Sequence, residues 1–284
     1  MRHIITGLAM LLAVACSRGE ADKHEHHSEG AVIYPAASIV TMAGEGAMAT
    51  AVAVKNGRIL GVGSEADLAK DLPKAEVDRT FEGLTLVPGL IDPHVHVMLG
   101  ALQYALPLTP PWPMATPDGM RMGIGTREGF LSEVAAISAS MPPGQPAVIY
   151  GYHNLVHGDL TRADLDAISA ERPIVIWHYS SHDFYLNSAA IKRAGFTPAL
   201  AEKFHGVDLD AKGELTGRIY EDAAFAVVQA YADVILAPEN ASAGFHGFSR
   251  MLRHAGVTTT VEMGYGLFGY ELEDANIRNN WVDP

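Results

Sequence analysis

The stretch LVPGLIDPHVHVMLG, residues 86–100, constrains the fold of this chain more than any other. Its apolar residues up to Ile91 favour a β-strand, and His94 and His96 follow with one residue between them. Side chains at positions i and i+2 of a strand point to the same side, about 7 Å apart. The two imidazoles can therefore bind one divalent ion, although a pair of surface histidines fits the same pattern.

Short β-rich runs precede this stretch. Asn56-Gly57 separates two apolar runs, and Asn-Gly in such a place is a strong hairpin signal. Two further runs follow a helix-like segment at residues 65–71. We therefore predict that residues 31–87 form a small antiparallel β domain.

Strand-like and helix-like segments alternate after this domain. Apolar strands are expected at 86–91, 148–152, 174–177 and 257–263. Helices are expected at 161–171, at 187–195, at 220–236 and before Gly256. Strands rich in Val and Ile that alternate with helices favour parallel βα units. A closed (β/α)8 barrel takes roughly 250 residues, more than remain here. Residues 88–284 are therefore predicted to form an incomplete (β/α)8 barrel of the α/β class, with a long loop at 107–127 over its mouth.

The N-terminus resembles the signal of an exported protein. Residues 4–14 are apolar, too few to span a bilayer and typical of the core of a signal peptide. The AVAC segment that ends at Cys16 is similar to a bacterial lipoprotein cleavage site. We therefore predict a lipoprotein-type signal peptide at residues 1–16, a polar tether at residues 17–30, and a chain lipid-anchored at Cys16 on the periplasmic side of a bacterial membrane. An ordinary secretory signal, which leaves a soluble periplasmic or secreted protein, is the alternative.

The net charge of the chain, −13 at pH 7, limits the classes of partner that it can bind. A negative field repels nucleic-acid phosphates and anionic lipid head groups. We therefore expect no nucleic-acid partner, and contact with a membrane only through the lipid anchor. The composition does not indicate an oligomeric state.

Several segments resemble one enzyme superfamily. VPGLIDPHVHVMLG is similar to the first metal-binding strand of the amidohydrolase superfamily, and KNGRILGVGS is similar to the β domain that precedes that strand. RPIVIWHYSSHDFYLNSAAIKRAGF, GELTGRIYEDA and HAGVTTTVEMG resemble the amidohydrolase family 3 branch, which includes N-substituted formamide deformylase-like enzymes. The resemblance implies a metal-dependent hydrolase that cleaves carbon–nitrogen bonds, other than peptide bonds, in a small amide-type substrate.

The resemblance also implies candidate site residues. His94 and His96 are expected to bind a divalent metal, with zinc foremost and one or two ions in the complete enzyme. Glu262, at the end of the strand VTTTVEM, is expected to be either a third ligand or a base beside the metal. The residues expected on the substrate side are His182, Asp183 and Glu221.

Other polar residues are assigned mainly structural roles. His178, at the edge of its strand, is predicted to be a buried, hydrogen-bonded residue, while Thr161 and Asn187 are predicted to cap helices. His153 and His157 follow a strand and are candidates to line the cleft, with a structural role as the alternative.

Several features of the family are missing from this sequence. No stretch after Met263 resembles the later histidine ligands, the bridging lysine or the late aspartate that activates water. The chain is therefore predicted to be the N-terminal part of a longer enzyme, and its catalytic residues stay unassigned. One alternative is a lipid-anchored, non-catalytic metal-binding module, which would use the HEHH cluster of the tether together with His94 and His96. The other is an inactive truncated gene product.

Overall fold

The computed structural model describes residues 29–44, 46–269 and 271. The chain divides into two compact units at the Gly89–Leu90 boundary. The predicted signal peptide, the lipid anchor at Cys16 and most of the predicted tether lie outside the described residues. No helix among the described residues has both the length and the apolar character needed to cross a membrane.

The first unit is a five-stranded sheet with one helix. Its elements are β1 (Val32–Val40), β2 (Met48–Lys55), β3 (Arg58–Gly63), α1 (Glu65–Asp71), β4 (Glu76–Val77) and β5 (Thr85–Leu86). The strand order is β3-β2-β1-β4, and β5 also pairs with β1. One face of the sheet packs on α1 through a small buried core, which consists of Ile33, Ala51, Ala53, Leu68 and Leu72.

The predicted hairpin of the first unit is confirmed. Lys55 pairs with Arg58 across a two-residue turn in which Asn56 and Gly57 both have a positive φ, the geometry that favours Asn-Gly. By contrast, β4 and β5 run parallel to β1, so the prediction of a wholly antiparallel domain is wrong. The helix α1 carries the chain away from β3 before it returns, and a crossover of this kind allows parallel pairing where a tight turn does not.

The second unit alternates strands and helices. Its elements in chain order are β6 (Leu90–Val95), α2 (Val97–Tyr104), β7 (Met114–Thr116), β8 (Gly119–Arg121), α3 (Arg127–Ser140), β9 (Ala147–Tyr152), α4 (Asn154–His157), α5 (Arg162–Ile168), β10 (Ile174–His178), β11 (Asp183–Leu186), α6 (Ser188–Ala194), β12 (Val207–Leu209), β13 (Leu215–Tyr220), α7 (Ala224–Ala230), α8 (Ala232–Ile235), α9 (Pro238–His254) and β14 (Val257–Glu262). The predicted helix caps are confirmed, because the Thr161 side chain accepts from the Asp164 N–H and the Asn187 side chain accepts from the Ala190 N–H.

The four strands predicted for one barrel are divided between two sheets. β9 and β10 are parallel neighbours in a five-stranded sheet of order β12-β13-β11-β10-β9, whose other pairs are antiparallel. β6 and β14 pair in parallel in a separate two-stranded sheet. The mixed α/β class is confirmed, but the described residues form no closed barrel. The chain turns straight back after β10 into the antiparallel β11, and a pattern of apolar runs does not reveal this reversal.

Two further predictions about local structure are wrong. The expected single helix at 220–236 is interrupted, because a 3₁₀ turn at Glu221–Ala223 precedes α7, and α7 and α8 are separated at Tyr231. The break accompanies a buried contact, in which the Tyr231 hydroxyl donates to the Ala190 carbonyl oxygen 2.9 Å away. The expected loop at 107–127 contains the short hairpin β7-β8.

Two glycines allow α2 and α9 to pack closely, and this packing positions β6 and β14. A Cβ on Gly100 would lie 2.7 Å from the Phe248 ring, and one on Gly244 would overlap the Ala101 carbonyl oxygen. The helix α2 directly follows β6, and α9 leads into β14. The helix pair therefore holds the two parallel strands side by side.

Candidate functional site

His94 and His96 lie at the carboxyl end of β6. Their ring centroids are 5.5 Å apart and the rings meet edge to face. The Asp92 carboxylate accepts a hydrogen bond from the His94 backbone N–H, with 3.0 Å between nitrogen and oxygen, which holds the backbone at the end of the strand. His94 is exposed, and the His96 side chain is 41% exposed. The pair therefore presents two imidazoles at one edge, and their role as metal ligands stays a prediction.

Glu262 comes to the same edge from the end of β14. Its Oε1 lies 3.4 Å from His96 Nδ1 and accepts from the Gly264 N–H, while Oε2 accepts from the Met98 N–H at 3.2 Å. The carboxylate is thus held at the first turn of α2 and orients the His96 ring through Nδ1. Carboxylates commonly orient metal-binding histidines in this way, so the geometry favours a supporting role for Glu262 over direct ligation.

These residues do not complete a metal site by themselves. Catalytic zinc sites usually have three protein ligands and one open position. No group of three His, Cys, Asp or Glu side chains within residues 29–44, 46–269 and 271 is arranged to hold an ion. The chemistry of the two imidazoles suits a divalent metal, but their number falls short of a full set of ligands.

A second group of candidate residues gathers at one edge of the five-stranded sheet. This edge includes the carboxyl ends of the parallel strands β9 and β10, where open α/β sheets commonly bind ligands. Because β11 and β13 are antiparallel to each other, the start of β11 and the end of β13 lie at this same edge. The candidate residues placed there include His153, His178, His182, Asp183 and Glu221.

The structure brings His182 and Glu221 together. His182 Nδ1 lies 3.2 Å from Glu221 Oε2, and both side chains are 64% exposed. The Glu221 N–H donates to the His182 carbonyl oxygen, which extends the β11–β13 ladder by one pair. Asp183 does not join them, because its carboxylate accepts two hydrogen bonds from the Arg218 guanidinium. Of the three residues expected on the substrate side, two therefore form an exposed pair and one is held in a separate ion pair.

Of the two alternatives for His157, the structure favours the structural role over a place in a cleft. Its side chain is fully buried and stacks on the Phe130 ring at 4.6 Å. Its Nδ1 accepts from the His153 N–H, which leaves Nε2 to donate to the Ile124 carbonyl oxygen 2.7 Å away. Burial is the main cause that lowers the pKa of His157. The neutral ring is therefore a structural element that joins the segments on either side of α3.

The other two histidines at this edge also have local partners. His178 is buried, as predicted, and its Nδ1 accepts from the Ser180 N–H at 3.0 Å. Burial is likewise the main cause that lowers its pKa. His153 is half-buried, accepts from the Leu155 N–H and contacts the Trp112 ring. His153 thus begins α4, and its ring stays partly accessible.

The stability of the protein is expected to fall when the pH drops from about 7.5 to about 5.5. His157 is neutral in the folded chain with a lowered pKa, so the unfolded chain binds more protons below the ordinary histidine pKa. The stability that His157 contributes is therefore present above that ordinary value and is lost as the pH falls. Urea unfolding across this range should show a smaller loss for His157→Gln than for the wild type. An unchanged pH dependence in the variant would contradict the assignment.

Gln103, which no sequence motif marked as a candidate, connects the two groups of candidate residues. Gln103 lies near the end of α2 and is buried, and its Nε2 donates to Ser181 Oγ at 2.7 Å. Ser181 directly precedes His182, so the helix that begins after His96 also holds the loop that carries His182. The available signal was a single polar side chain within the apolar helix sequence VMLGALQY.

Comparison with known proteins identifies the family. Residues 81–278, more than half of the chain, match the Amidohydrolase family. The chain belongs to the amidohydrolase family. The resemblance read from the sequence is therefore confirmed, and both groups of candidate residues lie within the matched part of this amidohydrolase.

Two relatives and one solved structure show how far the amidohydrolase similarity extends. Protein LONG AFTER FAR-RED 3 of Arabidopsis thaliana is 31% identical over 219 residues, which cover 76% of this chain and 35% of that protein. The N-substituted formamide deformylase of Arthrobacter pascens is 30% identical over 196 residues, 66% of this chain and 34% of the deformylase. The crystal structure of an uncharacterized metal-dependent hydrolase from Pyrococcus furiosus shares the fold with a TM-score of 0.58 at 18% identity, covering 89% of this chain and 48% of that one. The amidohydrolase chain thus spans between a third and a half of the length of these proteins.

Proposed function

We propose that this amidohydrolase takes part in metal-dependent hydrolysis of carbon–nitrogen bonds, other than peptide bonds, in small amide-type substrates. The observation that carries the proposal is the pair His94 and His96 at the carboxyl end of β6, beside its parallel neighbour β14 and within residues that match the family. The relative named as a deformylase of N-substituted formamides supports a substrate of this chemical class.

The proposal includes a divalent metal, with zinc foremost, for which His94 and His96 are the two ligands supplied by the described residues. Glu262 orients His96 through the contact between its carboxylate and Nδ1. Since two imidazoles do not complete a site, we propose that the remaining ligands come from outside residues 29–271. The described part of the chain is then the first portion of a larger active site, with its metal-binding edge on β6 and β14.

The test uses the complete gene product, stripped of metal with a chelator and then supplied separately with zinc, manganese or no metal. Hydrolysis of N-formyl and N-acyl alkylamides is followed by release of the free amine. We expect amine release only after metal is restored, because the metal is part of the proposed site. A preparation that melts cooperatively but releases no amine with any metal, or releases it equally without metal, would contradict the proposal.

A further inference from the structure

The His182–Glu221 pair involves two strained residues, Glu221 itself and Ser181, which directly precedes His182. Ser181 and Glu221 have φ values of 73° and 48°, in the left-handed region that residues other than Gly, Asn and Asp rarely adopt. Met42 and Asn56 also have a positive φ, Met42 in the connection between β1 and β2 and Asn56 in the hairpin turn, where Asn is favoured. Strain of this kind persists only where the surrounding structure imposes it, and it concentrates at functional sites.

The surroundings of Ser181 impose its conformation. Its hydroxyl accepts from Gln103 Nε2 at 2.7 Å, and its carbonyl oxygen accepts from the buried Trp177 indole N–H at 3.0 Å. The next residue is held as well, because the His182 N–H donates to Ser180 Oγ. The loop between β10 and β11 is therefore fixed from two elements, and its His182 side chain projects from a defined backbone.

Stability does not account for this arrangement. The His182 and Glu221 side chains are both 64% exposed, and exposed ion pairs contribute little to folding. The chain thus adopts two unfavourable backbone conformations to bring together a pair that does little to stabilise it. A function of the His182–Glu221 pair therefore explains these backbone conformations better than its contribution to folding stability does.

The geometry assigns the two nitrogens of His182 different tasks. With Nδ1 donating to the Glu221 carboxylate, Nε2 is the nitrogen left for a ligand. A carboxylate in this position orients an imidazole and fixes which of its nitrogens faces a ligand, as in other acid–base pairs. We propose that His182 is the general acid of the reaction, which protonates the leaving nitrogen, and that Glu221 is its positioning residue. This inference rests on the proposed function.

The proposed step balances with water as the only co-reactant. Water adds to the amide carbonyl carbon, so that a C–O bond forms and the water loses a proton to solvent. The C–N bond then breaks, its electron pair stays on nitrogen, and that nitrogen takes the proton from His182 Nε2. The products are a carboxylic acid and an amine, and the imidazole regains a proton from solvent.

The helix α2 links the loop that carries this acid to the metal-binding edge. The helix α2 begins directly after His96, and Gln103, its next-to-last residue, bonds to Ser181. A helix of 8 residues is about 12 Å long, so the loop that carries His182 is anchored within about one helix length of His96.

The experiment compares two substrates with the same acyl group, an N-alkylamide and an N-(4-nitrophenyl)amide, in the complete metal-loaded gene product. An alkylamine leaves only when its nitrogen is protonated, whereas the nitrophenyl group stabilises the leaving nitrogen and reduces this need. We expect His182→Ala to lower kcat on the alkylamide by about 100-fold or more, the usual contribution of a general acid, and on the nitrophenyl amide by less than about 10-fold. Glu221→Gln should show the same selectivity with a smaller loss. KM should change little, and the exposed His205→Ala serves as the matched control.

A spectroscopic readout tests the pair independently of activity. Nitrogen-15 NMR of neutral His182 should show the proton on Nδ1 in the wild type and a shift of the proton towards Nε2 in Glu221→Gln. Equal losses on both substrates, a change confined to KM, or a neutral wild-type His182 whose single proton is on Nε2 rather than Nδ1 would each overturn this inference alone. Absence of hydrolysis of both substrates by the wild type would overturn the proposed function and this inference with it.

Discussion

His94→Ala and His96→Ala are each expected to lower metal-dependent hydrolysis by more than about 100-fold, since loss of a residue that merely supports a metal ligand already costs 10–100-fold. Each variant removes one of the two imidazoles at the edge of β6 and β14. The fold should persist, because both side chains are at least partly exposed and their removal opens no cavity in the core. Metal content per chain by elemental analysis, amine release and the melting temperature are the measurements.

Two further variants sharpen this test. His205→Ala removes a fully exposed imidazole in the same unit and should change neither metal content nor rate. Glu262→Gln keeps the shape of the side chain but weakens its hold on His96, so it should lower metal affinity by about 10–100-fold without abolishing binding. If His94→Ala and His96→Ala both retain full metal and full rate, the assignment of the two histidines as ligands is wrong.

Asn187→Ala is expected to lower the free energy of unfolding by about 3–5 kcal/mol, because several buried polar groups lose their partners at once. The Asn187 side chain is fully buried and makes four hydrogen bonds. Its Oδ1 accepts from the Ile174 and Ala190 N–H groups, and its Nδ2 donates to the Ser169 and Arg172 carbonyl oxygens. One side chain thus connects β10, the first turn of α6 and the segment after α5. Urea unfolding measures the loss.

The variant Asn187→Asp separates the effect of lost hydrogen bonds from the effect of lost side-chain volume. The substitution keeps the volume and the accepting oxygen, but it replaces the donating amide by an oxygen that faces two carbonyl oxygens. We therefore expect Asn187→Asp to be at least as destabilising as the alanine variant near neutral pH. Thr161→Ala is the matched control, since it removes an exposed helix cap at a cost of about 1 kcal/mol. A loss for Asn187→Ala no larger than that of the control would contradict the role assigned to Asn187.

The sequence was most informative where one residue acts on its near neighbours. The Asn56-Gly57 turn and the caps at Thr161 and Asn187 involve contacts no more than three residues apart, and all three were predicted correctly. The placement of His94 and His96 on one side of a strand end follows from the two-residue period of a β-strand in the same way. The family, too, was evident from these local motifs and their order along the chain.

The predictions that failed depend on how distant segments pack. Apolar runs at 148–152 and 174–177 predict buried strands correctly, but they do not state which sheet the strands join or that the chain reverses after β10. The polar sequence around His157 suggests an accessible residue, whereas packing against Phe130 and the Ile124 carbonyl buries it. Burial is set by the segments that cover a residue, and those lie elsewhere in the chain.

The sequence by itself thus determined the family, the mixed α/β class, the turns and caps, and the pair of histidines at the end of β6. Only the tertiary structure decided which acidic residue contacts His96 and which contacts His182. Glu262 reaches His96 across 166 positions of sequence, and Glu221 reaches His182 across 39. Short-range patterns set the backbone conformation of a few residues at a time, since they depend on steric and hydrogen-bonding preferences within one turn or strand. Contacts across such separations arise only after helices such as α2 and α9 have packed and the strands have found their partners, so no local pattern records them.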